Sequence, residues 1–129
     1  MKEIYREWIE RAEDDIKASQ ILLSDKNYPP NIVCFLCEQA VEKYIKAFLT
    51  FNRIEFPYTH DIMLILEKYL LPSDETFSEI RNQISLLNEY SVKPRYPDFL
   101  ESYSQKDAKE AYDSAIEMIE FIKTKFRQE

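Results

Sequence analysis

The sequence predicts an all-α protein, an antiparallel up-and-down four-helix bundle with an additional short helix. Three observations predict it. The 129 residues include no glycine, so tight hairpin turns of the Asn-Gly kind cannot be written. Six prolines cut the chain into blocks, and proline interrupts helices by removing an N–H donor. Within the blocks apolar residues recur every three or four positions, and no segment alternates with period two.

The first block spans about residues 2–23. Ile4, Trp8, Ala12, Ile16, Ser19 and Leu23 form one stripe, and the opposite side is rich in Glu, Asp and Lys, as expected of an outer helix with one buried face. The second block spans about 30–51, with Pro30 suited to a first helical turn. Its apolar residues cover most of the circumference, so it is expected at the centre. Gln39, Glu42, Lys43 and Lys46 make its polar stripe at i, i+3, i+4 and i+7, and a solvated face with a Glu42–Lys46 pair is the default expectation.

The third block is short, about 61–70, with Thr59 as the expected N-cap and Asp61 in the first turn. The fourth spans about 74–92, with Ser73 as the expected cap and Ile80, Ile84, Leu87 and Tyr90 on the buried side. A loop of about a dozen residues follows, longer than the usual bundle connection of about two to eight. The fifth block spans about 105–127. Ser104-x-x-Asp107 reads as a capping box, and Ala108, Ala111 and Ala115 allow a close helix neighbour. No repeat or composition shift divides the chain, so residues 1–129 read as one domain.

Composition excludes several chemistries. Without glycine there is no Walker loop, dinucleotide fingerprint or nucleophile elbow. The 17 Lys+Arg against 24 Asp+Glu give a net charge of −7, which argues against a broad grip on nucleic acid, and no DNA is expected as a partner. No apolar run approaches the length of a membrane span, about 18 residues. Met1-Lys2-Glu3-Ile4 begins an amphipathic acidic pattern rather than a signal peptide, so the expected compartment is the cytoplasm. Cys34 and Cys37 are the only cysteines. They supply half a zinc site at most and read as small buried hydrophobes. With one histidine and no Glu-x-x-His pair, no metal site is expected.

Four stretches in order resemble the HEPN domain family. Trp8, Ala12, Asp15, Ile16 and Ala18 resemble its opening helix. Cys34-Phe35, Gln39-Ala40, Glu42-Lys43, Lys46-Ala47 and Leu49 resemble its main signature. Thr59-His60-Asp61-Ile62 resembles the start of its short helix, and Tyr90 followed by Arg95-Tyr96-Pro97-Asp98 resembles its loop signature. The resemblance implies a small dimeric bundle, often paired with a minimal nucleotidyltransferase. Some family members are toxin ribonucleases carrying Arg-x4–6-His near the last long helix. Here Arg81-Asn82 is followed by no histidine through Tyr90, Arg95 is likewise followed by none, and the formal match Arg53-x6-His60 falls in the linker before the short helix.

The residues left to carry function are few. His60 is the only side chain with an unperturbed pKa near neutrality, and it can donate to phosphate or simply tie the linker down. Lys43 and Lys46 can hold a phosphate or an acidic partner. Arg95 and Tyr96, set between prolines, can grip an anion and stack on a base. Asp15 lies beside the buried stripe, where it can pair with Lys43 or Arg95. The expected function is a homodimeric nucleotide-binding or protein-assembly module that partners a minimal nucleotidyltransferase in a toxin–antitoxin-type pair. It would need no cofactor beyond a nucleotide ligand. The alternative is a divergent metal-independent endoribonuclease acting on RNA through His60 with Arg53 or Arg95.

Overall fold

In the computed structural model, residues 3–91 and 103–126 are described. Arg95, Tyr96 and most of the long loop lie outside them. The described residues are helical with no strand among them, as expected for the all-α bundle.

α1 (Ile4–Leu23) buries Ala12, Ile16 and Ser19. Ser19 is a polar residue in the interior, and its hydroxyl is satisfied by donating to the Asp15 carbonyl at 2.9 Å. The stripe does not hold to the helix end, because Ile4 is 65% exposed. There Tyr5 packs instead, against Phe51 and Phe126. In the turn to the next helix, the Asp25 carboxylate accepts from the Asn27 N–H at 2.8 Å. Tyr28 is buried and donates to the Gln105 carbonyl at 2.9 Å.

α2 (Pro30–Phe51) starts with proline in its first turn and is buried on most sides. It is the central helix, as its apolar density requires. Arg53 ends it at φ 58°. This left-handed geometry normally goes to glycine, and this chain has none. The turn is closed by Ile54 N–H donating to the Leu49 carbonyl at 2.9 Å and by Asn52 Nδ2 donating to the Phe48 carbonyl at 2.9 Å.

α3 (Ile62–Ile65) is capped by Asp61, whose carboxylate accepts from the Leu64 N–H at 3.1 Å. The expected cap, Thr59, instead accepts from the Asp61 N–H at 3.1 Å. Asp61 stands directly before the first turn and takes the Leu64 N–H, while the Ile62 N–H donates to Asn88 Oδ1 at 2.9 Å. The helix continues through a π turn, Leu66–Leu70, into α4 (Leu71–Ser73). Pro72 in α4 has no N–H to give, and the ladder widens just before it. Ser73 closes that turn by donating to the Leu70 carbonyl, while Asp74 rather than Ser73 caps the next segment, accepting from the Thr76 N–H at 3.0 Å.

That segment begins as a 3-10 helix, Glu75–Ile80, becomes α5 (Arg81–Asn88), and ends as a 3-10 turn, Glu89–Ser91. α6 (Gln105–Lys123) opens with the expected capping box. Ser104 Oγ accepts from the Asp107 N–H at 3.0 Å, and the Asp107 carboxylate accepts from the Ser104 N–H at 2.8 Å. Ala108, Ala111 and Ala115 are fully buried.

The helix directions follow from their end contacts. Tyr5 meets Phe51, so α1 runs antiparallel to α2. Phe77 meets Phe48 near the far end of α2, so the α5 segment also runs against it. α6 begins beside Tyr28 and ends with Phe126 beside Phe51, parallel to α2. This is the up-down-up-down order. Among the described residues no helix is long and apolar enough to cross a membrane.

Candidate functional site

The polar stripe of α2 is not a solvated face. Glu42 and Lys46 are 2% and 3% exposed, and Glu38 is fully buried. An i, i+4 charge pair reads the same on either side of a helix; here Trp8 from α1 and Phe56 from the linker cover it. The Lys46 ammonium lies 5.6 Å from the Trp8 ring centre and 6.0 Å from that of Phe56.

Burial of two charges is tolerated only when their bonding groups are met. Lys46 Nζ donates to Glu42 Oε2 at 2.8 Å and to the Thr59 carbonyl at 2.9 Å. Gln39 Nε2 donates to Glu38 Oε1 at 2.8 Å and to Glu42 Oε1 at 3.3 Å. His60 Nδ1 lies 3.0 Å from Glu42 Oε2 and 3.2 Å from Oε1. A carboxylate only accepts, so Nδ1 carries the proton. Nε2, on the far side of the ring, is the nitrogen left to act on something else. The imidazole is 37% exposed, and the exposed Tyr58 ring stands 6.0 Å away, edge-on. Glu42 thus joins a buried ammonium and a half-exposed imidazole, and both hold the linker against α2.

Lys43 lies one step round the helix. It pairs with Asp15 at 2.6 Å, the ion pair anticipated from the placing of Asp15 beside the buried stripe. Between α1 and α2 a cleft of about 330 Å³ is lined by Ile4, Glu7, Trp8, Arg11 and Lys43. Phe51, the last residue of α2, lies about 14 Å along the helix axis from Glu42 at 1.5 Å per residue, and Arg53 follows two residues beyond it.

Cys34 and Cys37 are fully buried. Burial pushes both thiols up to about 12, with the Cys37 charge adding to the rise at Cys34 and the Ser19 hydroxyl opposing it at Cys37. Among the described residues no group of three or more His, Cys, Asp or Glu could hold a metal ion.

The structure therefore brings Lys46 and His60 together on Glu42, and sets Lys43 nearby on Asp15. Arg95 and Tyr96 lie outside the described residues. Sequence reasoning missed Glu38, Arg11 and Phe56. The available signal was a second acidic residue, Glu38, one turn before Glu42 inside an otherwise apolar helix.

Residues 5–125 match the HEPN domain family. The chain belongs to the HEPN family. This HEPN protein is 31% identical over 130 residues to the Methanocaldococcus jannaschii protein named "Putative toxin MJ1304", covering 90% of this chain and 84% of that one. Its fold is similar to the crystal structure of TT1696 from Thermus thermophilus, with a TM-score of 0.80 and 26% identity over 96% and 99% of the two chains. It is also similar to the archaeal HEPN homologue ST0689, with a TM-score of 0.75 and 28% identity over 98% and 100%.

Proposed function

We propose that this HEPN protein works by binding and assembly. It forms a homodimer, partners a minimal nucleotidyltransferase as one half of a toxin–antitoxin-type pair, and takes a nucleotide as its small ligand. The observation that carries this reading is the commitment of its charged groups. Lys46 and His60 are both bonded to Glu42, and Lys43 is bonded to Asp15. Such a network holds the linker against α2 rather than leaving cations to move with a reacting phosphate. The separation of Arg53 from Glu42 along α2 supports the same reading. So does the toxin name of the Methanocaldococcus jannaschii relative.

The test is size-exclusion chromatography with light scattering, run on the chain alone and after co-expression with a minimal nucleotidyltransferase. Twice the 15.5 kDa chain mass for the protein alone, and co-elution of the two proteins, are expected. A monomer that elutes apart from the nucleotidyltransferase overturns the proposal.

One observation favours a second reading, a metal-independent endoribonuclease. His60 has its Nδ1 held by a carboxylate, the arrangement that orients a catalytic imidazole and leaves Nε2 for proton transfer. That reading requires RNA cleavage that survives a chelator and is lost in His60→Ala.

A further inference from the structure

We propose that the cleft between α1 and α2 binds a small molecule joining a flat aromatic ring to one anionic group, phosphate or carboxylate. This rests on the binding half of the function above and is independent of the assembly half. The cleft volume, about 330 Å³, falls at the low end of small-ligand sites, about 300–1,000 Å³.

The lining has a direction. On α1, Ile4, Trp8 and Arg11 lie on successive turns of one face. The apolar end is made by Ile4 and Trp8. The cationic end is made by Arg11, with Lys43 facing it from α2. Trp8 is half-buried, and the Lys46 ammonium 5.6 Å from its ring centre holds it from the protein side. The indole is a positioned wall, so little freedom is lost when a second ring stacks on it.

Arg11 is exposed and makes no ion pair or hydrogen bond among the described residues. Lys43 directs one of its three donors to Asp15. Asp15 and Glu7 balance Arg11 and Lys43 in formal charge, so the cleft is neutral as a whole and its cationic character is concentrated at the unpaired Arg11 guanidinium. A guanidinium grips phosphate or carboxylate through a planar fork of N–H donors. Glu7 on the rim can accept an N–H from a ring amine.

Trp8 is the only tryptophan in the chain, so its emission, excited beyond tyrosine absorption, reports on this cleft alone. The probes are adenosine 5′-monophosphate, adenosine, inorganic phosphate and phenylacetate. A saturable change is expected with the monophosphate or with phenylacetate, and which of them acts distinguishes a phosphate from a carboxylate ligand. Adenosine and inorganic phosphate should bind at least about tenfold more weakly, since each lacks one of the two groups. Arg11→Gln should weaken the active probe about tenfold, with the far-ultraviolet circular dichroism unchanged. No saturable change with any probe up to about 10 mM overturns the proposal. So does adenosine binding as well as the monophosphate, or Arg11→Gln binding as wild type. An empty cleft would leave dimer mass and co-elution untouched, so the two proposals fail separately.

Discussion

Replacing Glu42 with Gln keeps the side-chain shape and removes the charge that Lys46 and His60 share. Lys46 is 4% exposed in its side chain, so its ammonium would stay buried with the Thr59 carbonyl as its remaining acceptor. Breaking a buried pair by removing one partner costs about 3–5 kcal/mol. The surviving Lys46–Thr59 bond and the amide oxygen of the new Gln place Glu42→Gln at the lower end, about 3 kcal/mol. Stability of a domain this size is about 5–15 kcal/mol, so the variant should fold. Urea unfolding followed by circular dichroism reads the change as a lower midpoint at constant slope. The double variant Glu42→Gln/Lys46→Met removes the stranded charge as well, and should recover to within about 1 kcal/mol of wild type. A single variant that loses less than about 1 kcal/mol, or a double variant no better than the single, refutes the claim that the pair is buried and mutually dependent.

Arg53 holds a left-handed conformation that costs a non-glycine residue about 1–2 kcal/mol, and Arg53→Gly frees the unfolded chain by a smaller amount. A net gain of about 0.5–1 kcal/mol in urea unfolding is expected; a loss would show that the arginine side chain holds the turn. The Asp74 carboxyl is held below its usual range by hydrogen bonds from Thr76 and Lys125 and by the Lys125 charge. A lowered folded pKa means stability present above the unfolded value, about 3.9, and lost as pH falls through the folded value. Asp74→Asn should therefore destabilise at about pH 7 more than in strong acid, and an equal loss at both would contradict the assignment. With both thiols raised to about 12, only about one in 10⁴ is thiolate at pH 8. Ellman's reagent should leave Cys34 and Cys37 unmodified in the folded protein and label both in urea; rapid labelling of the native chain would contradict their burial.

What could be read from the sequence was what local rules decide. The apolar density of residues 30–51 makes a central helix under any packing. The capping box at Ser104 and Asp107 needs only its own backbone. The misplaced caps, Thr59 for Asp61 and Ser73 for Asp74, fell where two acceptors stand within two residues of each other, and propensity cannot choose between them. Glu42 and Lys46 show the deeper limit. Their spacing is that of an ordinary surface pair, and only the arrival of Trp8 and Phe56 from distant segments turns it into a buried one. Ile4 failed the other way: periodicity extended the stripe past the point where Tyr5, with Phe51 and Phe126, closes the end of the bundle. Arg11 carried no local signal, because an exposed arginine becomes part of a site only once Lys43 stands across a cleft from it.

Function by binding and assembly rather than by cutting RNA is tested most directly by incubating the purified wild-type chain with a mixed RNA pool in the presence of a chelator and resolving the products on a denaturing gel. The RNA is expected to remain full length. Discrete fragments from the wild-type protein, absent when His60→Ala of equal stability is used, would contradict it and make the imidazole beside Glu42 a catalytic group.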